Sequence, residues 1–251
     1  MPRRRINWFY YAAPQRFYAL AGRCIPWFAV AAVLLAAAGL VIGLGLAPTD
    51  FQQGDSYRII YIHVPVSWMS MVLYLAMAFW AAIGMIFNAR LAFMLAQAIA
   101  PTGALMAFLS LWTGALWGKP TWGTWWVWDA RLTSELILLF LYIGYLSLRG
   151  AIDDERRADR ASGLLAIVGA VNVPIIYFSV QWWNTLHQGA SVSVTQGSSM
   201  AEIMLQAMLI MSLALWAYCF AVVFARVRTI ILERERGAAW TREHLPRPIW
   251  A

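Results

Sequence analysis

The feature that most constrains this chain is a succession of long apolar segments joined by short connections. Six stretches each reach the roughly 20 mostly apolar residues that a helix needs to cross the hydrocarbon core of a bilayer. They run from about Cys24 to Leu46, Val64 to Phe87, Leu91 to Trp117, Ala130 to Leu148, Ser162 to Gln181 and Met200 to Ala225. None shows the period-2 alternation with turn signals that a membrane β-barrel requires. Charged residues make up 12% of the chain, about half the roughly 25% of an ordinary soluble domain. A soluble fold so poor in charge would expose far too much apolar surface. A soluble enzyme, a disordered chain and a collagen-like protein are excluded. The expectation is an all-α integral membrane protein, one six-transmembrane-helix bundle over residues 1–251.

The net charge of +7 is distributed in a way that speaks of topology rather than nucleic acid. The connections after spans 1, 3 and 5 hold only Arg58, Lys119 and Arg131, which leaves 16 of the 19 Lys and Arg on the other side. Those sit in the N-terminal arm (Arg3, Arg4, Arg5, Arg16, Arg23), after span 2 (Arg90), after span 4 (Arg149, Arg156, Arg157, Arg160) and in the tail from Arg226 to Arg247. The positive-inside rule assigns that side to the cytoplasm. Both termini are then cytoplasmic, which an even number of spans satisfies. Span 1, although preceded by Arg3 to Arg5, is longer than the 7–15 residues of a signal-peptide core and reads as an anchor.

Nearly everything chemically distinctive falls on the outer side. The first outer connection runs from Pro48 to His63. The second is Trp117-Gly-Lys-Pro-Thr-Trp122-Gly-Thr-Trp125-Trp126-Val-Trp128-Asp129, a Trp-rich loop over about residues 117–133. The third is Gln181-Trp-Trp-Asn-Thr-Leu-His187-Gln-Gly189. Of three His in the chain, His244 lies in the tail; His63 just precedes span 2 and His187 just follows span 5, so both are expected at the outer rim. Either one alone reads as an interfacial histidine bonded to backbone or water. Together they suit a metal, since a neutral imidazole binds zinc, copper or iron. A zinc site wants three or four protein ligands. The two Cys, Cys24 and Cys219, lie far apart with no C-x-x-C spacing, and only Asp50, Asp55, Asp129, Glu135 and Glu202 could complete a zinc set. Haem needs only axial ligands, because its porphyrin supplies the other nitrogens.

Five indoles in one short segment exceed what an interfacial aromatic belt requires, although a belt remains an open reading. Such a loop offers a broad apolar face with N–H donors at its edge, which suits a flat macrocycle. Asp129 is placed to be the N-cap of span 4. Arg131, Arg58 and Lys119 are the outer cations, fitting a ligand with two carboxylates. Glu135 and Glu202, early in spans 4 and 6, are expected to reach interfacial water, with no role assigned. The run Gly114 to Pro120 is one residue short of a P-loop and lacks its Ser/Thr. Any ATP-dependent step therefore belongs to a partner, and no hydrolase motif is present.

The segment from Trp117 through Asp129-Ala-Arg131 to Thr133 resembles the tryptophan-rich WWD signature of haem-handling proteins. With six spans and Trp-Asn-Thr-Leu-His187-Gln-Gly, the chain is similar over residues 15 to 225 to the haem exporter protein C (CcmC) family of bacterial cytochrome c maturation. Larger relatives that ligate haem to apocytochrome carry extra spans and an outer domain that are missing here. The resemblance implies that His63 and His187 are the axial ligands of a haem b held at the periplasmic face of the inner membrane. Trp117, Trp122, Trp125, Trp126 and Trp128 would form its platform, with Asp129 as the acidic member of the motif and Arg131 and Arg58 assisting through propionates. It implies delivery to a membrane-anchored periplasmic haem chaperone (CcmE), beside an ABC transporter (CcmA with CcmB) and a small membrane subunit (CcmD). Two other classes stay open. An electron-transfer cytochrome b would use His pairs facing each other from within helices. A haem transporter or channel would show discontinuous spans or central charges; the spans are expected to be continuous, with Asn172 packed and Pro174 a tolerated kink.

Overall fold

The computed structural model describes residues 8–183, 185–187, 192–193, 197–198 and 200–244. Arg3, Arg4, Arg5 and Arg247 of the cation count, and Asn184, Gln188 and Gly189 of the third connection, lie outside these. Six helical segments are long and apolar enough to cross a membrane: Pro14–Leu46, Asp55–Phe87, Arg90–Trp122, Ala130–Ala151, Glu155–Trp182 and Glu202–Arg234. The fold is an all-α, six-span bundle, as the hydropathy requires. Its helices are α1 (Pro14–Leu40), α2 (Ile60–Phe87), α3 (Arg90–Trp122), α4 (Ala130–Ala151), α5 (Glu155–Gly169), α6 (Asn172–Trp182) and α7 (Glu202–Arg234). A π-helical turn, Val41–Leu46, extends α1, and a 3-10 turn, Asp55–Ile59, leads into α2. The described strand structure is one pair of two-residue strands, β1 (Val192–Ser193) and β2 (Gly197–Ser198).

Helix α3 is the most buried span and packs on α2, α4 and α7, whereas α1 leans on α7 alone over most of its length. The core between them is rich in Tyr and Met: Tyr74, Tyr142, Met77 and Met94 are fully buried, and Leu138 sits among them. Val33, Phe79, Ile86, Phe140, Val168 and Leu213 point outward and are exposed. Such an apolar exterior on a packed bundle is what a lipid environment favours. The two ends differ in chemistry. Tyr18 of α1 meets Trp240 and His244 beyond α7, with ring centroids 5.7 and 5.0 Å apart. Both ends of the described chain therefore lie at the arginine-rich end.

The helices overrun the expected spans at that end, for identifiable reasons. Arg226, placed in the tail by hydropathy, lies within α7 and donates to Ala98 O and Thr102 Oγ1 of α3, both at 2.7 Å. The guanidinium of Arg228 sits 4.2 Å from the centre of the Tyr18 ring, a cation–π contact that lets the stem pack on apolar surface. Arg16 and Arg23 likewise belong to α1. The expectation of continuous spans is corrected at span 5, which is two helices separated at residues 170–171. Pro174 lacks the N–H that would bond back to residue 170, and Asn172 at the break donates to Ser134 O at 2.9 Å.

Below that break a buried ion cluster joins four helices. Asp159 of α5 receives Arg149 of α4 at 2.7 Å and Arg234 of α7 at 2.9 Å. Arg234 also donates to Gln97 of α3. All three charged side chains are at most 10% exposed.

Candidate functional site

At the tryptophan-rich end, α2, α3, α4 and the segment 185–187 enclose a cleft of about 790 Å³, counting the open space at its mouth. His63, His187, Trp117, Trp122 and Arg131 all line it. The structure thus brings together residues from three outer segments 50 and more positions apart.

The apolar run Ile60-Tyr61-Ile62 already belongs to α2, so His63 is the fourth residue of that helix rather than a residue preceding it, and it is buried. The expectation that His63 precedes span 2 is corrected accordingly. His187 is partly buried in a Ser/Thr-type turn, its N–H donating to Thr185 Oγ1 at 2.9 Å. The two imidazole centroids are 6.2 Å apart with planes tilted by 35°. Two imidazoles bound end-on to one metal, each nitrogen about 2.0–2.1 Å away, have centroids roughly 6 Å apart, so the observed separation fits a shared metal centre. Among the described residues no group of three or more His, Cys, Asp or Glu is arranged to hold a metal ion.

The Trp segment is not one loop. Helix α3 continues through Pro120 to Trp122 and ends on Gly123, whose φ of 78° places it in the left-handed region, its N–H accepted by Lys119 O at 3.1 Å. Trp117 and Trp122 are therefore held on a helix. Trp117 meets His63 edge-on at 5.6 Å, and Trp122 meets His187 at 6.1 Å. The indole N–H of Trp117 donates to Gln53 Oε1 at 2.7 Å, so it anchors the first outer connection. Trp125, Trp126 and Trp128 occupy the true loop, residues 123–129, outside the cleft lining; Trp128 is 78% exposed and packs edge-on against Trp126. Asp129 is the N-cap of α4, accepting the Leu132 N–H at 2.8 Å. Its other oxygen and the Trp126 indole N–H are buried with no hydrogen-bond partner among the described residues.

The three outer cations separate. Arg58 pairs with Asp55 at 2.8 Å and donates to Gly43 O and Leu44 O at 2.7 and 2.9 Å, closing the carbonyl end of α1's π-turn. Lys119 donates to Gly123 O and lies over Trp125. Only Arg131 lines the cleft, with one N–H on Ile176 O at 3.3 Å.

The sequence reading missed the cleft floor. Glu135, one turn below Arg131, lines the cleft, is 6% exposed and accepts Ser70 Oγ at 2.8 Å. Glu202, by contrast, is exposed at the start of α7 and accepts from Gln206. Ser67, Ser110 and Thr113 form a hydroxyl lattice beneath His63, with Ser67 and Ser110 2.6 Å apart. Gly114 and Gly118 keep the α3 wall flat, since a Cβ at Gly114 would stand 3.1 Å from His63 Cε1.

The chain matches, over residues 7–242, the sequence profile of a family described as heme exporter protein C. It is 54% identical to the heme exporter protein C of Escherichia coli (strain K12) over 180 residues, 72% of this chain and 74% of that protein. It is 44% identical to that of Haemophilus influenzae over 232 residues, 92% of this chain and 94% of the relative. It is 48% identical to that of Bradyrhizobium diazoefficiens over 223 residues, 89% and 84% of the two chains. A cleft with paired imidazoles, six membrane-length helices and matches of this length agree: the chain belongs to the heme exporter protein C family.

Proposed function

We propose that this protein binds haem in the tryptophan-rich cleft and handles it for the maturation of c-type cytochromes. In this reading the cleft faces the periplasm at the inner membrane. The haem is haem b, ligated by His63 and His187, and is passed to a periplasmic haem chaperone of the CcmE type. The observation that carries the proposal is the pair of imidazoles 6.2 Å apart across a cleft walled by Trp117 and Trp122. The family name of the relatives, heme exporter protein C, supports the same cargo. The cation asymmetry supports the orientation.

Haem supplies its own four equatorial nitrogens, which is why two protein ligands suffice. The chain's own task is positioning. Two imidazoles fix the iron, Trp117 and Trp122 cover macrocycle surface, and Arg131 stands where a propionate can pair with a fork of N–H donors. Trp125, Trp126, Trp128 and Asp129 form an outer tier around the mouth, and Arg58 stabilises the α1 end beside it. In this reading ATP-driven steps belong to partners, an ABC transporter of CcmA and CcmB with the small subunit CcmD.

The test is the absorption spectrum of purified protein. The wild type is expected to carry a six-coordinate low-spin haem signal. His63→Ala and His187→Ala each lose it, along with most haem retention. Unchanged spectra and haem content in both variants would overturn the ligand assignment. The tiers predict a further difference. Trp122→Ala, which removes a ring against His187, lowers haem affinity by a factor of about 2–12, the equivalent of about 0.5–1.5 kcal/mol for an aromatic pair. Trp128→Ala changes it less. A haem titration of the two variants compares them directly.

A further inference from the structure

We propose that Thr113 is a positioning residue for His63: its hydroxyl accepts the Nδ1–H, fixes the ring tautomer and leaves Nε2 as the nitrogen able to bind a metal. The role at haem rests on the reading of His63 as a ligand; the tautomer itself does not.

The assignment follows from counting protons. Thr113 Oγ1 lies 3.0 Å from His63 Nδ1. A threonine hydroxyl carries one proton. The same oxygen lies 2.6 Å from Leu109 O, and 3.3 Å from Ser110 O. At 2.6 Å an O–H···O bond is well formed, whereas two oxygens that close with no proton between them would repel. A carbonyl cannot donate, so the Thr113 proton is committed to its own helix. The hydroxyl can then only accept from the imidazole, and Nδ1 carries the hydrogen. In a neutral ring the lone pair is left on Nε2.

The rest of the α3 face holds the ring in that attitude. Gly114 lies against the Cε1 edge, where a side chain would crowd it, and Trp117 meets the ring edge-on. Ser67 donates to His63 O at 2.7 Å and is itself 2.6 Å from Ser110 Oγ, so backbone and ring are tied to the same helix. The acceptor's chemistry has a consequence. A carboxylate in this place would draw the Nδ1 proton and make the imidazole a stronger donor. A hydroxyl orients the ring without that increase, which suits a metal centre that must later leave.

The test uses the full chain, purified with uniformly ¹⁵N-labelled histidine. Three His make assignment direct by comparison with His187→Ala and His244→Ala. In the haem-free protein, His63 is expected as the Nδ1–H tautomer in the wild type and in Thr113→Ser. In Thr113→Val it shifts toward Nε2–H. Titration with ferric protoporphyrin IX gives the second readout. Thr113→Val weakens binding by about 10- to 100-fold, the usual loss for an orienting partner of a metal ligand, and Thr113→Ser restores it. An Nε2–H ring in the wild type, or the same tautomer in Thr113→Val, overturns the proposal. Weaker haem binding in His63→Ala but not in Thr113→Val overturns the Thr113 role alone. Unchanged binding in His63→Ala overturns the ligand reading, and the positioning role with it.

Discussion

Replacing Asp159 with alanine is expected to destabilise the folded bundle by about 3–5 kcal/mol, the cost of breaking a buried ion pair from one side. Among the described residues, Asp159 is the only carboxylate within 3 Å of both Arg149 and Arg234. Glu155 reaches Arg149 at 2.6 Å but is 61% exposed and so screens less of the field. Without Asp159 two guanidiniums, each at most 10% exposed, would share one solvated partner at the junction of α4, α5 and α7. Neither can shed its charge, since arginine stays protonated in proteins. The measurement is reversible unfolding of the purified protein followed by tryptophan fluorescence. The control follows from the same physics: Arg149→Met and Arg234→Met added to Asp159→Ala recover much of the loss, because an apolar replacement of the whole cluster removes the stranded charges. A loss below about 1 kcal/mol for Asp159→Ala, the size of a surface pair, would show that water reaches the cluster.

How far the fold was legible depends on which physics each residue obeys. The six spans were readable because the bilayer imposes length and apolarity on every one, and Asp129 was readable because N-capping is a local rule. The ends were misjudged wherever a charge is satisfied inside the bundle. Arg226 looks like a tail residue until its carbonyl and threonine partners on α3 are seen. His63 was set outside its helix because a histidine closes a hydropathy window, although Ile60 to Ile62 already carry the helix inward. The imidazole pair was suggested by composition, but that Trp117 and Trp122 wall the cleft while Trp125 and Trp128 stay outside depends on where α3 stops. Thr113, Ser67 and Ser110 escaped notice since single hydroxyls in apolar helices are common. A helical-spacing signal was available: His63, Ser67 and Ser70 share one face of α2, and Ser110, Gly114 and Gly118 one face of α3. Reading those two faces against each other would have pointed to the floor of the cleft and to Glu135.

That floor leads to the second large effect, at a position with no polar atom in its side chain. Gly103 of α3 is buried against Tyr142 of α4, and a Cβ there would overlap Tyr142 Cζ and Oη. Tyr142 is fully buried, so its ring has no solvent into which to retreat. Its hydroxyl donates to Ser70 O at 2.8 Å, and Ser70 Oγ in turn donates to Glu135. Gly103→Ala is therefore expected to cost more than one methyl group of overpacking, about 1–3 kcal/mol. Driving Tyr142 away also strands its own buried hydroxyl, a further penalty of about 1–3 kcal/mol. The effect should reach the cleft, since Ser70 holds the Glu135 carboxyl that lies one turn below Arg131. A double-mutant cycle isolates the contact. Tyr142→Leu removes the colliding atoms at its own cost, so Gly103→Ala placed on that background should cost much less than on the wild type. Unfolding measurements on the four proteins give the coupling directly. Additive losses would mean that α3 and α4 can slide apart without penalty, and that the close approach at Gly103 does not hold the cleft floor in place.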